Sequence, residues 1–151
     1  MTRLHQLYQL GQSVWLDFIR RSFVRSGEFE TLLAKGVRGV TSNPSIFEKA
    51  IAGSNDYDHD LAELAKQGKS VQEIYESLVV ADIQQAADLL YPLYVESDAT
   101  DGYVSLEANP ILANDTNGTI AEVKHLHTTV ERPNVMIKVP ATPAGIPAIE
   151  S

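Results

Sequence analysis

The run Asn134-Val135-Met136-Ile137-Lys138-Val139-Pro140-Ala141-Thr142 sets one lysine among apolar, strand-forming residues. Burial disfavours an ammonium, and the neutral amine it favours attacks carbonyls to form a Schiff base. The same run would also suit an edge-strand lysine whose stem packs while its head reaches water. The two readings part on whether other polar residues arrive at the same place. Three segments carry one in an equivalent setting: Asp17 after Ser13-Val14-Trp15-Leu16, Asn43 after Gly39-Val40-Thr41-Ser42, and Glu107 after Tyr103-Val104-Ser105-Leu106. Their chemistry is complementary. A buried amine attacks a ketone, a carboxylic acid helps expel water from the carbinolamine, and a second carboxylate takes a proton as a carbon–carbon bond breaks. Two acids beside one lysine need different environments to divide those roles, and the residues alone leave the division open.

Such a set must be held by elements that aim four side chains at one point. Strands are predicted over Ser13–Ile19, Val37–Asn43, Tyr103–Ala108 and Val135–Val139. Because strand side chains alternate between faces, Asp17 falls with Ser13 and Trp15, and Asn43 with Gly39 and Thr41. Glu107 falls with Tyr103 and Ser105, and Lys138 with Met136. The opposite faces are aliphatic: Val14 and Leu16, Val40, Val104 and Leu106, and Val135 with Ile137 and Val139. Between the strands, helices are predicted over Arg3–Gln9, Glu28–Lys35 and Asp56–Gln67, within Gly118–Val130, and from Pro147 onward. A long one opens at the capping-box sequence Ser70-Val71-Gln72-Glu73. Strands alternating with helices predict an α/β fold with a parallel sheet, either open and doubly wound or closed as a barrel. In a (β/α)8 TIM barrel the aliphatic faces pack on the helices, and inward residues at the strand C-termini form the active site. Asp17, Asn43, Glu107 and Lys138 would converge there, with Pro44, Pro110 and Pro140 marking where loops begin.

Composition narrows the partners. The 151 residues suffice for one domain, 1–151, with no linker or repeat to indicate a second. A net charge of −8 argues against nucleic acid, whose phosphates are bound by basic groups. No apolar run is long enough to cross a bilayer. With no cysteine there is no disulfide or thiolate metal site, and the absence of a signal-peptide pattern adds to the expectation of a cytoplasmic protein. Arg20, Arg21 and Arg25 are basic groups free to meet a small phosphate. His125 and His127 are two apart, so a helix sends them to different sides and they make a poor metal pair. The acidic stretch from Ser54 to Asp60 lacks the glycine and distal glutamate of a calcium loop and reads as helix-capping. Gly145 could open a helix toward an anion, with loop geometry the simpler reading.

Four segments in this order and spacing closely resemble the N-terminal half of the transaldolase family, class I aldolase-type barrels of the pentose phosphate pathway. They are Ser13-Val14-Trp15-Leu16-Asp17, Gly39-Val40-Thr41-Ser42-Asn43-Pro44-Ser45-Ile46-Phe47, Val104-Ser105-Leu106-Glu107-Ala108-Asn109-Pro110 and Met136-Ile137-Lys138-Val139-Pro140-Ala141-Thr142. The resemblance implies that Lys138 is the Schiff-base lysine and Glu107 the acid that works through a water during imine formation. It makes Asp17 the acid/base that handles the sugar hydroxyl proton during cleavage. Asn43 matches the amide that hydrogen-bonds the dihydroxyacetone unit, and Thr41 and Thr142 are counted with it as substrate-binding residues. It implies transfer of that unit between sugar phosphates, from sedoheptulose 7-phosphate or fructose 6-phosphate to an aldose phosphate, with no metal or organic cofactor. Cleavage of fructose 6-phosphate by the same lysine chemistry is the alternative activity.

Only about the first four β/α units of such a barrel are expected here. The last predicted helix stops at Ser151, about where it should begin burying its apolar side, which predicts a truncated half-barrel. Such a half-barrel would leave open strand edges that favour self-association, and could be a catalytically silent assembly fragment.

Overall fold

The aliphatic strand faces predicted from alternation are the faces on which this protein builds its core. In the computed structural model, which describes residues 1–151, four parallel strands form one sheet in the order of the chain: β1 (Trp15–Leu16), β2 (Gly39–Thr41), β3 (Tyr103–Glu107) and β4 (Val135–Lys138). Eight helices connect and cover them: α1 (Arg3–Gln9), α2 (Arg21–Arg25), α3 (Glu28–Ala34), α4 (Pro44–Ala52), α5 (Asp58–Lys66), α6 (Val71–Glu96), α7 (Thr116–Val130) and α8 (Gly145–Ile149). A single 3-10 turn spans Pro110–Asn114. Val40, Val104, Leu106 and Val135 are buried against Ile83, Ala86, Ala87 and Leu90 of α6 and against Leu126 and Val130 of α7. Removing such faces from water is the main drive that closes the helix layer on the sheet, at roughly 25 cal/mol per Å² of apolar surface.

Local signals account for most boundaries. The Ser70–Glu73 capping box forms as predicted, with Ser70 accepting from the Glu73 amide and the Glu73 carboxylate accepting from Ser70. It starts a 26-residue helix that packs on β3. Ser70→Ala is expected to destabilise the fold by about 1 kcal/mol, the usual worth of an N-cap, read as a lower urea midpoint at unchanged slope.

Four elements depart from the sequence reading. The first strand is two residues long rather than Ser13–Ile19, because it pairs only through Trp15 with Gly39 and Leu16 with Val40. Beyond that the chain turns to bury Ile19 in the core and leave Phe18 40% exposed. Helix α4 follows directly on Asn43, whose carbonyl oxygen caps it by accepting from the Ile46 amide at 2.9 Å, with Pro44 at the first helical position. Helix α2 carries no capping side chain and begins on a buried arginine. The last helix starts at Gly145, two residues before Pro147. Gly145 is buried there, and any β-carbon on it would collide with the Pro140 carbonyl oxygen.

Arg21, expected to be free for a small phosphate, and the acidic stretch read as helix-capping belong to the packing. Arg21 is 2% exposed and so cannot meet a phosphate, while Arg25 donates to Gln85 at 2.9 Å. Asp56 accepts from the Ser22 amide at 3.0 Å and Asp60 accepts from Arg21 at 2.7 Å, so the acidic stretch pins α2 to α5. Hydrogen bonding from Ser22 holds the Asp56 carboxyl below its ordinary value of 3.8. Hydrogen bonding from His59, and then the Arg21 charge, lower Asp60 in the same way. Both folded values lie below the unfolded one, so these carboxylates stabilise the fold above the unfolded value and lose that contribution as pH falls through the folded values. Unfolding free energy is therefore expected to fall below about pH 4, and to fall less steeply in Asp56→Asn/Asp60→Asn, measured by urea titration at stepped pH.

Candidate active site

Parallel pairing places Glu107, the last residue of β3, directly opposite Lys138, the last residue of β4. Their register brings Lys138 Nζ to 3.1 Å from Glu107 Oε2. The lysine side chain is 37% exposed and the glutamate 28%, so the desolvated ammonium expected from the apolar run is not what the fold provides. Lys138 stands at the open end of the sheet with a carboxylate in contact. An ion pair with this exposure holds geometry more than it stabilises the fold.

A second pair forms on the neighbouring strands. Thr41 ends β2, and its Oγ1 donates to Asp17 Oδ1 at 2.6 Å. Asp17 is exposed and lies one residue beyond β1, outside the strand predicted to carry it. Asn43 stands between the two pairs at the start of α4, half-buried. Its carbonyl oxygen is committed to the Ile46 amide, which fixes the orientation of the side-chain amide and leaves its NH₂ group to donate elsewhere. Thr142 is placed differently. Its hydroxyl donates to the Ala113 carbonyl and accepts from the Gly145 amide at 2.9 Å, so it ties the loop after β4 to the 3-10 turn and the start of α8.

Five of the six residues singled out in the sequence thus lie at or within two residues of the C-terminal ends of four adjacent strands, with direct contacts inside two pairs, while Thr142 lies in the loop four residues past β4. Sequence reasoning passed over two neighbours. Ser105, on the face of Glu107 by alternation, is 3% exposed with its hydroxyl unpartnered. Tyr75 of α6 lies close enough to Glu107 and Glu48 that, after burial, their charges push its hydroxyl above the ordinary value. Nothing in the local sequence around Tyr75 marks it, since its proximity comes from the packing of α6 on the sheet. His125 bonds Glu76 at 2.7 Å, and no group of three or more His, Asp or Glu is arranged to hold a metal ion.

A cavity of about 630 Å³ lies on the helix side of the strand ends, among α4, α6, the 3-10 turn and α7. Asn43 and Glu107 border it, but Lys138 does not. Its charged lining consists of Glu48, Glu76, Glu107 and Glu122, with no lysine or arginine, so it repels a phosphate.

Residues 14–151 match the family described as Transaldolase/Fructose-6-phosphate aldolase. A relative named Transaldolase from Trichodesmium erythraeum is 49% identical over 147 residues, covering 97% of this chain and 39% of the relative. One from Thiobacillus denitrificans is 50% identical over 144 residues, 95% of this chain and 40% of its own length. A third, from Neisseria gonorrhoeae, is 46% identical over 151 residues, with 43% of its length covered. The chain spans about two-fifths of the length of these relatives. With a parallel sheet whose polar residues gather at the strand C-termini, and with this similarity along nearly its whole length, the chain belongs to the Transaldolase/Fructose-6-phosphate aldolase family.

Proposed function

We propose that this chain carries the Schiff-base machinery of a transaldolase, moving a dihydroxyacetone unit from a ketose phosphate to an aldose phosphate in the pentose phosphate pathway of the cytoplasm. The observation that carries the reading is the contact between Lys138 Nζ and Glu107 Oε2 at 3.1 Å, at matched register on adjacent parallel strands. Glu107 is in reach of both the proton that must leave the ammonium and the hydroxyl that must leave the carbinolamine. Lys138 Nζ attacks the ketone carbonyl. Glu107 takes the amine's proton and returns one to the departing hydroxyl, releasing water and leaving a protonated imine. Asp17, steadied at Oδ1 by Thr41, keeps Oδ2 to accept the sugar hydroxyl proton as the carbon–carbon bond breaks. The electron pair of that bond passes into the imine, and the aldose phosphate departs. The Asn43 NH₂ group donates to the oxygens of the retained three-carbon unit. Attack on an incoming aldose phosphate reverses these steps, and hydrolysis of the imine frees Lys138.

Transfer is favoured over simple release of the three-carbon unit because the relatives at 46–50% identity are named transaldolases. Mass spectrometry of the 151-residue chain after incubation with fructose 6-phosphate and borohydride tests the reading. A three-carbon adduct on Lys138, absent from Lys138→Ala, is the expected result. No adduct in a folded sample would leave the chain a structural part of an enzyme without imine chemistry of its own.

A further inference from the structure

Among the residues given a step in the proposed reaction, Asp17 is the one whose backbone lies outside both the sheet ladder and a helix cap. Glu107, Lys138 and Thr41 are the last residues of their strands, and Asn43 is an N-cap. The β1 ladder ends at Leu16, so apart from the Thr41 contact at its carboxylate, Asp17 is located by what holds the chain on its far side.

That anchor is a buried polar knot at the start of α2. The Arg21 amide donates to Tyr57 Oη at 3.1 Å, and its guanidinium donates to Asp82 Oδ1 at 2.8 Å and Asp60 Oδ2 at 2.7 Å. The guanidinium also lies over the Tyr57 ring, 4.4 Å from its centroid. Tyr57 Oη in turn donates to Asp82 Oδ2 at 2.7 Å, so both oxygens of that carboxylate are used. Arg21, Tyr57 and Asp82 are 2%, 0% and 1% exposed. Three elements, α2, α5 and α6, are thus fixed to one another four residues downstream of Asp17, with Ile19 buried between. Buried ion pairs contribute little net stability compared with apolar residues of similar volume. What the knot does provide is a direction for the segment Asp17–Arg20.

We propose that Arg21 is a positioning residue for Asp17, acting through the intervening backbone and touching no substrate; the inference rests on Asp17 being the group that takes the proton during cleavage. Proton transfer needs the carboxylate within hydrogen-bond reach, and misplacement by about 1 Å can lower a rate by about 10²-fold. Imine formation depends on Lys138 and Glu107, to whose strands no residue of the knot is hydrogen-bonded.

Tyr57→Phe in the 151-residue chain isolates the effect. It keeps the ring under the guanidinium and removes the hydroxyl that both accepts from Arg21 and donates to Asp82. Three readouts are taken on the folded variant: amide hydrogen exchange by NMR, borohydride trapping on Lys138, and release of aldose phosphate from fructose 6-phosphate. Faster exchange at Phe18 and Ile19 is expected, with β3 and β4 unchanged. Total trapping on Lys138, now mostly as the uncleaved six-carbon phosphate adduct, is expected to match the parent, while release falls about 10²-fold in kcat at unchanged KM. Parent-like exchange at Phe18 and Ile19 would overturn the inference, as would parent-like release. If the parent chain forms no adduct and releases no aldose phosphate, the functional reading fails on its own, and the exchange comparison still decides whether the knot fixes the Asp17 segment.

Discussion

Glu107→Gln is expected to slow borohydride trapping of Lys138 by fructose 6-phosphate about 10²- to 10⁴-fold, the usual contribution of a positioned proton donor and acceptor. The substitution keeps the shape of the side chain and its ability to hydrogen-bond Lys138 across the 3.1 Å contact. It removes the ability to take a proton from the amine or return one to the leaving hydroxyl. Because the Glu107 side chain is 28% exposed, losing its charge leaves no deeply buried partner unpaired, and the variant is expected to fold. Asp17→Asn is the matched comparison. It keeps an acceptor for the Thr41 hydroxyl, so total trapping, now mostly as the uncleaved six-carbon phosphate adduct, should proceed at the parental rate while release of the aldose phosphate falls. A Glu107→Gln chain that traps as fast as the parent would sink the assignment of Glu107. Slow trapping in both variants would show that the two carboxylates do not divide the steps as their separate pairings imply.

The face on which Glu107 and Lys138 lie was legible in the sequence because alternation along a strand depends only on the chain itself, whereas Asp17 and Asn43 fall beyond the ends of β1 and β2. Val40, Val104, Leu106 and Val135 are buried as that rule requires, and Glu107 and Lys138 meet on the other face. The long helix was legible from its capping box, which is likewise local. Strand length was not, because β1 ends where its partner ladder ends. The exposure of Lys138 was not legible either, since it depends on what stands opposite the sheet rather than on the apolar residues flanking it. Helix α4 had its signals in Asn43 and Pro44, yet both were absorbed into the strand and its loop. The Arg21 knot had no local signal. Its partners Tyr57, Asp60 and Asp82 lie 36, 39 and 61 residues away, and an arginine beside Arg20 reads as solvated until the fold brings a carboxylate to it.

That knot also predicts the largest loss of stability from a single substitution. Asp82→Ala is expected to destabilise the fold by about 3–5 kcal/mol, because it leaves a buried guanidinium without its main counter-charge. The side chain of Arg21 is 3% exposed, and its remaining carboxylate, Asp60, is 46% exposed and partly screened by water. Tyr57 Oη loses its acceptor at the same time. Against a total stability of about 5–15 kcal/mol for a domain of ordinary size, the variant is expected to be largely unfolded at moderate urea. Arg21→Met/Asp82→Leu is expected to recover most of that loss, since two apolar side chains of similar volume carry no desolvation penalty. Urea unfolding of the parent, the single and the double variants measures both effects. A single variant as stable as the parent would mean that Asp60 alone satisfies Arg21. A double variant no better than the single would mean that the cavity left in the core, rather than the orphaned charge, sets the loss. Recovery of stability in the double variant has a consequence for the site as well: a chain that folds fully yet no longer anchors α2 through polar contacts separates holding the core together from aiming Asp17.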